Sequence, residues 1–439
     1  MADTRTDINN IYKLDGRVPW GKATLFGLQH ILAMFVANIA PIFIVAGACG
    51  LDSGQTANLI QSAMIIAGIG TMIQLYPVWK IGSGLPIVMG ISFTFVSVFC
   101  WIGPIYGYGT IMGAVLVGGI IEGILGLLAQ YWLKLISPIV AATVVTAIGV
   151  SLLSVGAASF GGGSGNENFG SAQNLILGTV TLVCCLGFHI LAKGYLKQLS
   201  ALFGLVVGYI VAVIMGVVDF SPLQSVDMIS LPKILPVKPE FHLGAIISVV
   251  VIFMVSATET IGDTSALASS GLDRDATTKE ISGSIACDGF ISALSSVLGC
   301  LPITSFSQNV GLVSMTKVVN RFAIFLGAVI MVLAGLFPGF GTLLATIPDA
   351  VLGGCTIMMF GNIVLCGMQM ISKCGFTHRN ITIAALSLGI GLGFTQVSDM
   401  FVIFPQIFQN VFAENCVAIV FVISIFLNLV LPKELKEKE

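Results

Sequence analysis

Charged and amide side chains are scarce in this sequence, and several of them stand inside long apolar runs. Glu259 and Asp263 lie in SATETIGDTSA. They are four residues apart, so a helix places both carboxyl groups on one face. A carboxyl pair in such surroundings is suited to taking up and releasing a proton near neutral pH. Asp263 also fits a hydrated position at a helix end. Asp288 lies in IACDGFISA, where it fits a ligand contact or a structural role, bonding an interrupted helix. His30, in GLQHILAMF, fits a proton site or a packed helix–helix histidine. Glu122, flanked by glycines in GGIIEGILG, reads as structural or interfacial. Gln308 and Asn309 each carry a donor and an acceptor. Opposite a carboxylate, such amides can read a ring edge that alternates N–H and C=O; alone, they can tie helices together. Phe93 offers a face on which a planar ring can stack.

The elements that must hold these groups follow from composition. The chain has 439 residues, 56% hydrophobic and only 9% charged, against about 25% charged in an average soluble protein. Mean hydropathy is +1.01. These values exclude a soluble globular domain and a disordered chain. A net charge of -2 gives no reason to expect nucleic acid as a partner. Ten scattered cysteines form no CxxC or Cys/His cluster, so neither a metal site, a cofactor site nor a disulfide framework is expected. The N-terminal stretch is polar, without the apolar core of a signal peptide. A polytopic all-α membrane protein remains.

A spanning helix needs about 20 apolar residues. The apolar runs are 24–47, 57–79, 84–101, 109–129, 132–157, 174–192, 199–219, 243–261, 278–298, 301–315, 322–345, 349–371, 380–396 and 401–431, fourteen in all, the last with a break expected near Pro405 or Asn415. Lys and Arg test this reading. Arg5, Lys13, Arg17 and Lys22 precede the first run, and Lys433, Lys436 and Lys438 follow the last. Lys80, Lys134, Lys193, Lys197, Arg274, Lys279, Lys317, Arg321, Lys373 and Arg379 all follow even-numbered runs; only Lys233 and Lys238 do not. Both termini are therefore expected in the cytoplasm, and the compact loops fit a bacterial plasma membrane.

The two halves echo each other. GSGLPIVMGISFTFVS (82–97) opens the third run, and GCLPITSFSQNVGLVS (299–314) opens the tenth. Seven runs separate them, an odd number, so the second copy is inverted. Inverted repeats with Gly/Pro-interrupted spans mark a secondary transporter, with its site where the interrupted spans meet. Residues 1–219 form the first repeat, 220–242 a Pro-containing linker and 243–439 the second.

At this point the residues resemble a known family. Gln308-Asn309-Val310-Gly311-Leu312-Val313-Ser314-Met315-Thr316-Lys317 resembles the signature of the nucleobase–ascorbate transporter family. Gln29-His30 is similar to its first-span Gln-His, Glu259 with Asp263 to its eighth-span acids, and Asp288 to its ninth-span acid. The resemblance covers nearly the whole chain. It implies fourteen spans as two inverted seven-span repeats, with spans 3 and 10 partly extended. It implies a core domain (spans 1–4 and 8–11) moving against a gate domain (spans 5–7 and 12–14). It also implies a homodimer and proton-coupled import. Gln at the first signature position goes with oxidised purines, xanthine or uric acid. Glu259 and Gln308 would then bind the ring, with Phe93 stacking on it and Ser92 and Asn309 adding polar contacts. The proton would use Glu259, Asp263, Asp288 or His30. Ser92 stands where xanthine-selective members carry Asn, which leaves room for uric acid.

Three rivals remain at this point. A uracil or other pyrimidine symporter differs only in the ring. An inorganic-anion exchanger of the same architecture would want mid-span Lys or Arg, and this chain has Glu259 there instead. An intramembrane enzyme would want HExxH or GxSxG, and neither occurs.

Overall fold

The computed structural model describes residues 6–133, 136–163, 166–225, 229–413 and 415–432. Arg5, Lys134, Lys433, Lys436 and Lys438, used above for orientation, lie outside the described residues, as do parts of both long connections.

Fourteen helices of ten residues or more order the described chain. In the first half they are α1 (Trp20–Ala48), α2 (Ser53–Leu75), α3 (Val96–Tyr106), α4 (Tyr108–Leu127), α5 (Pro138–Phe160), α6 (Ala172–Leu191) and α7 (Ser200–Ile214). In the second half they are α8 (Leu243–Leu272), α9 (Thr278–Val297), α10 (Ser307–Thr316), α11 (Arg321–Gly335), α12 (Asp349–Lys373), α13 (His378–Thr395) and α14 (Cys416–Val430). Two short strands, β1 (Met89–Ile91) and β2 (Ile303–Ser305), complete the frame. Among the described residues α1, α2, α4, α5, α6, α8 and α12 are long and apolar enough to cross a membrane.

Boundaries depart from the apolar runs in three places, each for a physical reason. The run 322–345 reads as one span, but α11 and the short helix Pro338–Ala345 meet at a 79° bend. Pro338 lacks the N–H that would continue the ladder and drives Phe337 out of helical geometry (φ -102, ψ 95). The run 243–261 stops where polar residues begin, yet α8 continues to Leu272. Its added turns bury Asp263, Thr264, Leu267 and Ala268 inside the protein. The third and tenth runs each begin extended and become helical late, at Val96 and Ser307.

β1 and β2 run antiparallel, with Met89 opposite Ser305, Gly90 opposite Thr304 and Ile91 opposite Ile303. The two Leu-Pro-Ile stretches therefore enter the strand pair from opposite ends. Gly90 is obligatory here: a Cβ would meet Met34, Phe306 and Asn38 at 2.8–2.9 Å. Backbone that leaves helical bonding inside a membrane must find other partners. Ile91 N–H donates to Asn38 Oδ1 (2.7 Å) and Met89 N–H to Thr71 Oγ1 (3.0 Å). Ser92 N–H donates to the Pro302 carbonyl (3.1 Å).

Helix packing repeats with a shift of seven. α4 lies along α9 as α11 lies along α2, and α4 touches α8 as α11 touches α1. α5 packs against α12. At the end of the molecule that holds Trp20, the N-terminal segment is clasped by Asn320. Its amide donates to the carbonyls of Asn10 (3.0 Å), Lys13 (3.2 Å) and Gly16 (3.1 Å), while its Oδ1 caps α11 at Ala323 N–H (3.2 Å).

Candidate functional site

The strand crossing brings the starts of two short helices, one from each half, to the middle of α8. A turn at Phe93–Phe95 leads into α3 and carries Thr94, and Ser307 opens α10. Thr94 Oγ1 donates to Glu259 Oε2 at 2.7 Å. Ser307 Oγ donates to Asp263 Oδ2 at 2.7 Å and lies 3.3 Å from Glu259 Oε1. A single hydroxyl hydrogen thus stands between two carboxyl groups. Helix N-termini carry partial positive charge, so both carboxyl groups face a favourable field. Glu259 is partly exposed and Ser307 exposed, so this point is not sealed inside the protein.

Asp288 is held on the other side of α8 and is fully buried. Its Oδ2 accepts from Thr260 Oγ1 (2.6 Å) and Ser305 N–H (2.9 Å). Its Oδ1 accepts from Ser305 Oγ (3.1 Å) and Gln74 Nε2 (3.2 Å). Gln74 in turn accepts from Ser83 N–H (2.9 Å). The carboxylate therefore ties β2, α8, α9 and α2 into one network.

The other residues singled out in the sequence fall around this centre. Gln308 follows Ser307 and is partly exposed. Asn309 turns away from it: its Nδ2 donates to the His30 carbonyl at 3.4 Å, joining α10 to α1. His30 and Asn309 are both buried, and His30 Nδ1 and Asn309 Oδ1 have no partner among the described residues. Ser92 Oγ accepts from Thr94 N–H at 3.3 Å and so shapes the turn that presents Thr94. The Phe93 ring meets Phe360 of α12 edge-on, with centroids 5.3 Å apart and planes at 84°. Lys317 ends α10 in the left-handed conformation, donates to the Ser270 carbonyl and lies 3.7 Å from Asp273. Its charge thus closes the ends of α8 and α10 together. Glu122 joins none of these contacts.

Residue-type reasoning passed over Thr94, Ser307, Gln74, Thr260 and Asn38. The signal available for Thr94 and Ser307 was position: each starts the helical part of an interrupted run. Among the described residues no group of three or more His, Cys, Asp and Glu is arranged to hold a metal ion.

Comparison with known proteins adds the family. A family model described as Permease family (Xan_ur_permease) matches residues 21–400. The chain is 33% identical over 447 residues to the xanthine permease XanQ of Escherichia coli (strain K12), covering 97% of this chain and 96% of the relative. It is 34% identical over 384 residues to the uric acid permease PucK of Bacillus subtilis (strain 168), covering 86% and 88%. In fold it is similar to the transmembrane domain of the cyanobacterial bicarbonate transporter BicA, with a TM-score of 0.58 at 16% identity over 83% of this chain and 95% of that one. With a match across most of its length, the chain belongs to the Permease family, the nucleobase–ascorbate transporters that its signature resembles, and is a multi-pass membrane transporter, not an enzyme.

Proposed function

We propose that the protein imports an oxidised purine, xanthine or uric acid, together with a proton by alternating access. The observation that carries this reading is the bridge Thr94–Glu259–Ser307, in which one acid on α8 is reached from both halves of the chain. Gln308 follows Ser307 in the first turn of α10 and is partly exposed, and on this reading it supplies a carboxamide to a ligand held by Glu259. A purine ring edge with adjacent N–H and C=O groups matches that pair. The names of XanQ and PucK, xanthine and uric acid permeases, point to the same substrates.

The chemistry follows from the hydroxyl shared by Glu259 and Asp263. Ser307 has one hydrogen and two acceptors within reach. A proton on either carboxyl group completes the set and removes the repulsion between them. The ring then binds Glu259 and Gln308, with Phe93 stacking on it and Ser92 and Asn309 keeping the two short helices in place. His30 and Asp288 serve as further proton positions. Proton and substrate must favour each other's binding if the carrier is not to leak its driving ion.

Around this site we read fourteen spans in two inverted repeats, with spans 3 and 10 interrupted at β1 and β2. The core comprises spans 1–4 and 8–11 and the gate spans 5–7 and 12–14. Both termini are cytoplasmic and the protein works as a homodimer in the cell membrane. The alternation of Lys and Arg supports the orientation.

The test is uptake of radiolabelled xanthine by cells expressing the protein, at two external pH values, with and without a protonophore. Accumulation lost to the protonophore and blocked by unlabelled uric acid but not uracil is the expected result. Glu259→Gln abolishes accumulation on this reading. Concentrative uptake by that variant would refute the role of Glu259, and inhibition by uracil alone would move the reading to a pyrimidine symporter.

A further inference from the structure

Away from the strand crossing, at the end of the molecule opposite Trp20, the structure holds a cavity of about 330 Å3. That volume lies within the range of small-ligand sites. Its walls join the last turn of α1 and the first turn of α2 to the connection entering α6 and the first residue of α12. The cavity therefore lies between α1 and α2 on one side and α6 and α12 on the other.

Two lining side chains have unused polar ends. Asp349 and Gln173 make no hydrogen bond or ion pair among the described residues. Asp349 begins α12 and so sits at the positive end of that helix, which supports a carboxylate. The glycines of the preceding connection close over it. Gly162 and Gly163 have φ of +105° and +89°, and a Cβ on Gly163 would collide with the Asp349 carboxylate. Bare backbone is thus wrapped around an acid that has no partner among the described residues. Phe43 adds an aromatic wall. One carboxylate, one carboxamide and one aromatic ring are also the set that Glu259, Gln308 and Phe93 present at the strand crossing.

We propose that this cavity is an outer vestibule site for the same class of ligand: a planar heterocycle with adjacent N–H and C=O groups. Asp349 accepts from the ring N–H, Gln173 donates to the neighbouring carbonyl, and the ring lies against Phe43. The ligand is held there before it passes to the Glu259–Gln308 site. This inference rests on the transport reading above and adds a second point of recognition to it.

The experiment is equilibrium binding of radiolabelled xanthine to the purified full-length protein in nanodiscs, with folding checked by size-exclusion chromatography. Wild type should show two classes of site. Glu259→Gln should lose the tighter class and keep the weaker one. Adding Asp349→Asn or Gln173→Ala to that variant should weaken the remaining class about tenfold, as expected for one hydrogen bond in a partly enclosed site. Gln173 is exposed, so its replacement spares the fold. In uptake, Asp349→Asn alone should raise KM with the maximal rate kept, because capture is impaired and translocation is not. Residual binding indifferent to both substitutions, or none at all in Glu259→Gln, would overturn the vestibule site while leaving the transport reading intact. Absence of xanthine binding and uptake in wild type would overturn both.

Discussion

Asp288 and Glu122 sit on helices α9 and α4, which pack backbone against backbone, and both side chains are fully buried. Their surroundings differ completely. Each oxygen of Asp288 accepts two hydrogen bonds, from Thr260, Ser305 and Gln74. Glu122 has at most the nearby Ser256 hydroxyl as a partner, and that hydroxyl makes no other hydrogen bond among the described residues. The seam between them is built from glycines. A Cβ on Gly289 would collide with Gly123 N and Gly119 O, and one on Gly119 would meet Gly289 O and Ala293 N. Burial alone therefore does not make a carboxyl group part of a site. Asp288 is wired to the strand crossing, whereas Glu122 stands in a joint whose requirement is small size. Removing one partner from a satisfied buried cluster strands the others, and that is where large effects arise.

The sharpest test of the contrast is Asp288→Asn. The amide nitrogen would face two donors in place of the oxygen that accepted them. We expect a loss on the order of 3–5 kcal/mol, seen as a large fall in the thermal unfolding temperature in detergent and as loss of xanthine uptake. Unfolding at the wild-type temperature would show that the network does not hold the crossing together.

Gly289→Ala comes next. It adds a methyl group where backbone atoms already touch, and overpacking of this kind costs about 1–3 kcal/mol. Gly187→Ala on α6 is the control, since a Cβ there meets nothing within 4 Å. Alanine in an open helical position gains about 0.5–1 kcal/mol over glycine. Unfolding temperatures that move in opposite directions sustain the reading of the seam; equal shifts would break it.

Thr260→Val removes one of the four donors to Asp288 and keeps the shape. A bond to a charged acceptor is worth about 1.5–3 kcal/mol, and relaxation of the neighbours should bring the loss to the lower end. The same substitution tests the link between the two acids, because Thr260 adjoins Glu259 in sequence. An altered KM with little change in unfolding temperature would assign Thr260 to the substrate site instead.

Much of this contrast was hidden in the sequence. The acids themselves were legible, since a charged letter in an apolar run stands out: Glu259, Asp263, Asp288 and Glu122 were all found that way. Their partners were not. Thr94, Thr260, Ser307 and Gln74 look like ordinary helix residues, because Ser and Thr in helices usually bond their own preceding turn. Thr71 shows the overlap: it donates to Ala67 O (2.7 Å), as any helical threonine does, and also accepts from Met89 N–H (3.0 Å). Hydropathy also ended α8 at residue 261, where its polar face begins, although that face is turned inward toward Ser307. The interruption of the third and tenth runs could be suspected from Leu-Pro-Ile. Their pairing register depends on contacts from four helices and leaves no local trace. The clasp of Asn320 on residues 10–16 is equally silent, being a bond between the chain's beginning and a loop some 300 residues on.

The smallest expected effect belongs to Glu122, and it carries the most information. Glu122→Met replaces the carboxyl group with an apolar side chain of similar length. At most, the substitution strands the Ser256 hydroxyl, which has no other partner among the described residues. Replacing an unsatisfied buried polar group by a well-packed apolar one is neutral or stabilising. Glu122→Met should therefore unfold within about 1 kcal/mol of wild type, and its xanthine uptake should be preserved. The same change at Asp288, Asp288→Met, should be lost from the membrane. Should Glu122→Met fold normally but accumulate no xanthine, Glu122 would be no joint residue: it would stand with Glu259 among the groups that handle the proton.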